Sequence, residues 1–200
     1  MMKKKHDLIL FDLGGVLIDP SGVPKMLEWS GGKISRKDLW AKWLTSSDVR
    51  AFETGKISVD IFADSLIEEF HLPVTKAEFI PEFKTWAENL YPGARELLNR
   101  LSGEYTLATL SNTNALHWDW FQKESGVYDL FSYHFPSHLT GFSKPDEETF
   151  YNVLEDIPFK PENILFVDDN EENIISAINC GFQTACASGF EDVLSIFSDR

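Results

Sequence analysis

At 200 residues, with 43% hydrophobic and 25% charged side chains, the chain can bury one solid core and has the composition of a soluble globular protein. Its net charge of −14 argues against a surface for nucleic acid or for anionic membrane, both of which need basic patches. A small anionic ligand stays open, because a few local cations and a metal can reverse the field inside a cleft.

Lys3, Lys4 and Lys5 precede an apolar run, but Asp12 interrupts that run and no small-residue cleavage pattern follows, so a signal peptide is not expected. No stretch is long enough to span a bilayer. Cys180 and Cys186 fit neither a disulfide framework nor zinc spacing, which favours reduced thiols and a cytoplasmic location.

Residues 7–11 form an almost continuous apolar run ending at an acid and two glycines, the pattern of a short buried strand. Residues 19–86 then contain no convincing strand. Ser35 with Asp38 resembles a capping box ahead of Leu39, Trp40, Trp43 and Leu44, and Thr75 with Glu78 makes a better one leading to Phe79 and Phe83. Between them Val59, Phe62, Ala63, Leu66, Ile67 and Phe70 recur at helical spacing. Trp40, Trp43 and Trp86 are expected inside this helical segment, where an exposed one is able to stack on a sugar. Beyond it, Pro92 opens a helix with Ala94, Leu97, Leu98 and Leu101 on its apolar side. Short strands are expected at 105–110, 131–135, 164–167 and, most weakly, 183–187. Pro145 opens another helix with Phe150, Val153, Leu154 and Ile157 inward, and a last one turns Ile174, Ile175 and Ile178 to one side before Gly181 stops it. Strands alternating with helices predict an α/β fold: a Rossmann-like parallel sheet covered on both faces. Residues 1–18 and 87–200 supply that core, and 19–86 a small all-helical cap inserted after the first strand.

Ligands of open parallel sheets bind beyond the carboxyl ends of the strands. Four polar clusters fall at such ends: Phe11-Asp12-Leu13-Gly14-Gly15-Val16, Leu110-Ser111-Asn112-Thr113-Asn114, Gly141-Phe142-Ser143-Lys144-Pro145 and Phe166-Val167-Asp168-Asp169-Asn170. Each alone is an ordinary turn or helix start, but all four on sequential strands are hard to dismiss.

Together, and with the insert where it stands, these motifs resemble the haloacid dehalogenase-like superfamily of aspartate-nucleophile phosphatases, and more closely its small-capped branch with the bacterial α-D-glucose-1-phosphate phosphatases. The resemblance implies that Asp12 attacks phosphorus to form an aspartyl-phosphate. It implies Mg2+ on Asp12, Asp169, the Gly14 carbonyl and Asp168, the last directly or through water, with Asn173 orienting Asp169. Ser111 and backbone N–H groups near Leu13, Gly14 and Asn112 are then expected on the phosphate, and Lys144 neutralises both phosphate and Asp12. Chemistry agrees, since an aspartate is ionised near neutrality and hard oxygen ligands suit magnesium.

The branch's phosphatases share one departure from most of the superfamily: Gly14 stands where an acid two positions after the nucleophile protonates the leaving oxygen. General acid catalysis contributes about 100- to 10,000-fold. Either the leaving group is good enough without it, as the anomeric oxygen of a sugar 1-phosphate comes closer to being, or another group such as Glu53 or His117 serves, or the protein is a poor enzyme. Glu53 and Lys56 could face the site from the insert, although a loop turn explains both, and His117 reads equally as a structural histidine. The expected substrate is a small phosphorylated metabolite, a sugar phosphate foremost, taken by a monomer or small homo-oligomer. The alternatives are a phosphometabolite-binding protein without turnover and a haloacid dehalogenase. The last needs no metal, and the adjacent Asp168 and Asp169 repel each other without a cation.

Overall fold

The computed structural model describes residues 6–20 and 22–198, so Lys3, Lys4 and Lys5 lie outside it. Five parallel strands form one sheet in the order β3-β2-β1-β4-β5: β1 (Leu8–Phe11), β2 (Thr106–Ser111), β3 (Tyr133–Pro136), β4 (Ile164–Asp168) and β5 (Gln183–Cys186). The central strand places Phe11 beside Thr109 on one side and Val167 on the other. Asp12 therefore leaves the sheet beside the end of β4, and the chain winds away from β1 in opposite directions, which opens a crevice there.

Strand periodicity sends side chains to two separate cores. Ile9, Phe11, Leu165 and Val167 face one cluster, and Leu8, Leu10, Ile164 and Phe166 face the other. The first is closed by α6 (Ala94–Ser102), α7 (Ala115–Lys123) and α11 (Phe190–Phe197) through Leu97, Leu98, Trp118, Phe121, Val193 and Phe197. The second is closed by α9 (Glu147–Asp156) and α10 (Glu171–Asn179). Both α6 and α9 begin two residues after the proline expected to open them.

One helix is turned differently from its sequence pattern. Ile175 and Ile178 of α10 are 58% and 54% exposed, Ile174 is half-buried, and the inward face is Asn173, Ser176 and Ala177. The Asn173 amide donates to Asp168 at 2.9 Å, which pins the rotation of the first turn, and the small Ala177 lets the helix lie close to the sheet.

Between β1 and α6 the described residues form five α-helices: α1 (Gly22–Trp29), α2 (Arg36–Thr45), α3 (Ser47–Glu53), α4 (Val59–Glu69) and α5 (Lys76–Lys84). Ser35 accepts from the Asp38 N–H at the start of α2, and Thr75 with Glu78 forms the reciprocal box of α5. These helices share an aromatic core of their own, where Phe52 stacks on Phe62 at 4.2 Å between ring centroids and Phe83 packs edge-on against Trp86 at 5.1 Å. Each fully buried phenylalanine stabilises this small layer by roughly 1.5–3 kcal/mol. Trp86 is buried and Trp43 half-buried as expected, but Trp40 is 45% exposed at the rim. The short helix α8 (Ser137–Thr140) lies on the sheet side, where the His138 carbonyl crowds Gly55; a Cβ there would collide with it. Among the described residues no helix is long and apolar enough to cross a membrane. Cys180 is buried and Cys186 exposed, both as free thiols.

Candidate active site

The carboxyl ends of β1 and β4 bring Asp12, Asp168 and Asp169 together, one carboxylate oxygen from each lying within 4.8 Å of the others. Lys144 enters this cluster from the loop before α9, its ammonium 2.9 Å from Asp12 Oδ1 and 2.6 Å from Asp168 Oδ2. Lys144 is 4% exposed, Asp168 0% and Asp12 8%, so these charges are largely stripped of water. Burial pushes the Asp12 carboxyl up to about 7, against the pull of Lys144, and the neighbouring Asp168 and Asp169 push the same way. Burial likewise raises Asp169, with Asp168 adding to it. Burial opposes the charged form of Lys144, yet Asp12 and Asp168 outweigh it and hold the ammonium above the usual lysine range. One cation among three carboxylates leaves an excess of negative charge on hard oxygen donors, a set that suits magnesium.

Hydrogen bonds fix the scaffold behind the cluster. Asp168 Oδ1 accepts from the Asn170 N–H at 2.8 Å and from the Asn173 amide at 2.9 Å. Asn173 thus orients Asp168, and the expectation that it orients Asp169 is corrected: the side chain that points inward from α10 meets the buried acid, while Asp169 is exposed. Asn112 uses its whole amide on the Lys144 backbone, donating to the carbonyl and accepting from the N–H, both at 2.9 Å. That clamp fixes where the Lys144 side chain starts. A Cβ at Gly15 would collide with Asp169 Oδ2, and its φ of +75° is glycine territory, so the loop can pass close to the acid only with glycine there. Gly14 is different: a Cβ there would meet nothing within 4 Å. The Leu13 side chain is buried in the core, and its carbonyl accepts from Leu17 and Ile18 at 2.8 Å, closing the turn after β1. Ser111 ends β2 and is 5% exposed. The Ser143 hydroxyl, 2% exposed, lines the acidic cavity without a protein partner.

Two cavities adjoin at this point. The first, about 230 Å³, holds Asp12, Lys144, Ser143 and Asp169. The second, about 180 Å³, runs from Ser111 between the sheet and the inserted helices. Their common wall includes Gly14, Asn112, Trp43 and Glu53. Glu53 is the last residue of α3 and is half-buried. Burial pushes its carboxyl up to about 7; Lys144 pulls it down, Asp12 raises it, and Arg50 and the Trp43 side chain lower it. Arg50, one turn earlier, lines the acidic cavity and pairs with Asp146 at the head of α9, which ties α3 to the sheet domain. Neither sequence pattern nor motif singled out Arg50 or Ser143. Ser143 stood beside Lys144 in a quoted cluster, but a lone arginine on a short helix carries no signal of its own.

The other two candidates lie apart from the cluster. Lys56 is exposed and lines neither cavity. His117 has both ring nitrogens engaged, Nε2 with the Phe83 carbonyl at 2.8 Å and Nδ1 with the Asn114 amide at 3.0 Å. An amide N–H must donate to Nδ1, so Nε2 carries the proton, and burial holds the imidazole neutral with its pKa down at about 4.

Known proteins with this architecture carry related activities. The sesquiterpene phosphatase astK of Aspergillus oryzae is 34% identical over 172 residues, covering 84% of this chain and 83% of that protein. The D-ribitol-5-phosphate phosphatase of Bacteroides thetaiotaomicron is 26% identical over 185 residues, 88% of this chain and 89% of that one. A solved HAD family enzyme of Bacteroides thetaiotaomicron superposes with a TM-score of 0.79 at 26% identity, over 97% of this chain and 99% of its own. The same enzyme in complex with magnesium and inorganic phosphate gives a TM-score of 0.75 at 26% identity, over 92% and 96%. The haloacid dehalogenase-like hydrolase family matches residues 6–181, and the chain belongs to that family.

Proposed function

We propose that the protein is a magnesium-dependent phosphomonoesterase that passes the phosphoryl group of a small metabolite to Asp12 and then to water. The observation that carries this reading is the buried Asp12–Lys144–Asp168 arrangement, with Asp169 beside it, at the carboxyl end of the central strands. The relatives named as phosphatases support the reaction class, and the solved neighbour with magnesium and inorganic phosphate supports the cofactor.

In this reading an Asp12 oxygen attacks phosphorus, and the bond between phosphorus and the alcohol oxygen breaks. Lys144, already paired with Asp12, neutralises the negative charge that nucleophile and phosphate bring together. The Ser111 hydroxyl and the backbone N–H groups following Asp12 and Ser111 hold the phosphoryl oxygens. Asp12, Asp169 and the Gly14 carbonyl, with Asp168 behind them, would hold magnesium. When bound, the ion supplies charge neutralisation that lets a carboxylate approach a phosphate. Positioning and electrostatics of this kind account for most of phosphoryl-transfer catalysis.

Glu53 supplies the proton that Gly14 cannot. Its carboxyl, held up at about 7 by burial, stands on the wall between the two cavities, and in its acid form gives the leaving oxygen a proton as the alcohol departs. The resulting carboxylate then takes a proton from the water that hydrolyses the aspartyl-phosphate. Ester and water become alcohol and phosphate, and Glu53 returns to its acid form. His117, with both nitrogens committed, joins α5 to α7 and takes no part in proton transfer. The inserted helices of residues 19–86 act as the cap that excludes water.

The test is phosphate release with magnesium and with EDTA, for the wild type and Asp12→Asn. Magnesium-dependent release that disappears in the variant is expected; release unchanged in Asp12→Asn contradicts the reading. Chloride release from a 2-haloacid in EDTA would favour dehalogenation instead. Relatives' names print both a sugar alcohol phosphate and a sesquiterpene as substrate classes. The sugar phosphate expected from the sequence has the first of these in its favour.

A further inference from the structure

The second cavity bears on the organic part of the substrate, and the inference rests on the phosphomonoesterase reading above. The space continues from the phosphate site: it begins at Ser111 and shares Gly14, Asn112 and Glu53 with the acidic cavity. Its far walls are apolar. Val23 and Met26 of α1, Phe83 of α5 and Trp86 close it from the inserted helices, and Ile18 and Phe121 from the sheet side. Met26, Phe83, Trp86, Ile18 and Phe121 are each 7% exposed or less, so this is an interior lining.

The polar side chains on that lining are mostly spent. Asn114 caps α7 by accepting from the Leu116 and His117 N–H groups, and its amide meets His117 Nδ1. His117 meets the Phe83 carbonyl with its other nitrogen. The Thr113 backbone is tied on both sides by the Ser137 hydroxyl. Asn112 is held by the Lys144 backbone, so besides indole N–H groups there remain Glu53 and Ser111, both at the phosphate end, and the single Thr113 hydroxyl. A sugar placed here would bury several hydroxyls with too few partners, each at a cost of about 1–3 kcal/mol. A hydrocarbon would lose nothing.

We infer that the substrate is the monophosphate of an apolar alcohol, its hydrocarbon seated among Val23, Met26, Phe83 and Trp86 and its phosphate against Asp12 and Lys144. A dry apolar cavity of about 150 Å³ takes a benzene ring. The space here, about 180 Å³, takes a ring or chain of somewhat more than that. The chemistry of the seam agrees. A simple alkoxide is a poor leaving group that needs a proton, and Glu53 stands where the alcohol oxygen would lie between the cavities. This departs from the sugar phosphate expected from the sequence, whose better leaving group needs less help.

The experiment measures kcat/KM of the full chain with magnesium on ethyl, butyl, hexyl and octyl phosphate. Glucose 1-phosphate, ribitol 5-phosphate and para-nitrophenyl phosphate are run beside them. Burial of a methylene stabilises by an amount worth about fourfold in kcat/KM, so the value should climb about fourfold per carbon until the cavity fills. Hexyl phosphate should exceed both sugar phosphates by at least about 100-fold. A flat alkyl series, or sugar phosphates ahead of hexyl phosphate, overturns the inference while leaving the phosphatase reading intact, since para-nitrophenyl phosphate is still hydrolysed. Silence on every substrate overturns both. Val23→Trp, which fills the cavity from a half-buried position, should end the climb at a shorter chain. The same chain-length dependence as wild type in that folded variant would place the hydrocarbon elsewhere and overturn the assignment.

Discussion

Glu53→Gln isolates the proton from every other part of the site. The substitution keeps the shape of a half-buried side chain at the end of α3 and removes its ability to give a proton to the leaving oxygen and to take one from the attacking water. Because burial holds the Glu53 carboxyl up at about 7, roughly half of it is protonated at neutral pH, where a free glutamic acid would be almost wholly ionised. General acid catalysis is worth about 100- to 10,000-fold, or about 3–5 kcal/mol of barrier. An alkyl phosphate needs that proton in full, whereas para-nitrophenolate leaves with little help. The variant should therefore lose about 100-fold or more in kcat/KM, which reports the steps up to departure of the alcohol, on an alkyl phosphate and less than about tenfold on para-nitrophenyl phosphate. The wild-type kcat/KM for the alkyl substrate should rise as Asp12 ionises and fall as Glu53 loses its proton, both near 7, and only the falling limb should be missing in Glu53→Gln. The groups facing Glu53 that set this limb are Lys144, Asp12, Arg50 and Trp43. Position 14 provides a complementary gain, since a side chain there meets nothing within 4 Å. Gly14→Asp in the Glu53→Gln background should recover alkyl phosphatase activity by supplying an acid from the other side. Stopped-time phosphate assays across pH 5–9 read all of these outcomes. Equal losses on the two substrates, or an unchanged pH limb, would refute the assignment of the proton to Glu53.

Two further outcomes follow from the supporting bonds. Asn173→Ala removes the amide that holds Asp168 Oδ1 and should weaken magnesium activation about 10- to 100-fold, seen as a right-shifted magnesium titration of activity with kcat at saturation largely kept. His117→Asn should leave the pH–rate profile unchanged but alter stability. The unfolded imidazole takes a proton near 6.5 and the folded one only near 4, so the contribution of His117 to stability is full above 6.5 and declines as pH falls toward 4. Allowing for partial exposure, that decline is about 2 kcal/mol. Chemical denaturation at pH 7 and pH 4.5 should show it as a loss in the wild type relative to the variant, because the raised Asp12 and Glu53 carboxyls change the stability of both proteins alike and in the opposite sense.

The sheet was legible because its strands are buried on both faces, which leaves short unbroken apolar runs such as residues 7–11 and 164–167 with acids at their ends. β5 was the weakest expectation, and it is the strand whose residues stay half-buried or exposed. The rotation of α10 was not legible: three isoleucines outvote an asparagine by hydrophobicity, but one hydrogen bond from Asn173 to a fully buried acid turns the helix the other way. Asp12, Ser111, Lys144 and Asp168 could be read as a set because each sits in a local polar cluster at a strand end. The Asn112–Lys144 clamp could not, since its partners are 32 residues apart and only the fold joins them. Glu53 looks like any glutamate in a loop turn until α3 lays it on the wall between two cavities, and the apolar cavity itself is assembled from α1, α5 and α7. No single segment carries its signal.

The central claim is that Asp12 carries the phosphoryl group. The most direct measurement is rapid acid quench of the enzyme during turnover with radiolabelled substrate and magnesium, followed by peptide mapping. The account predicts acid-stable, hydroxylamine-labile label on the peptide containing Asp12, absent in EDTA and absent in Asp12→Asn. Turnover with no label on that peptide, or label that persists in Asp12→Asn, would contradict it.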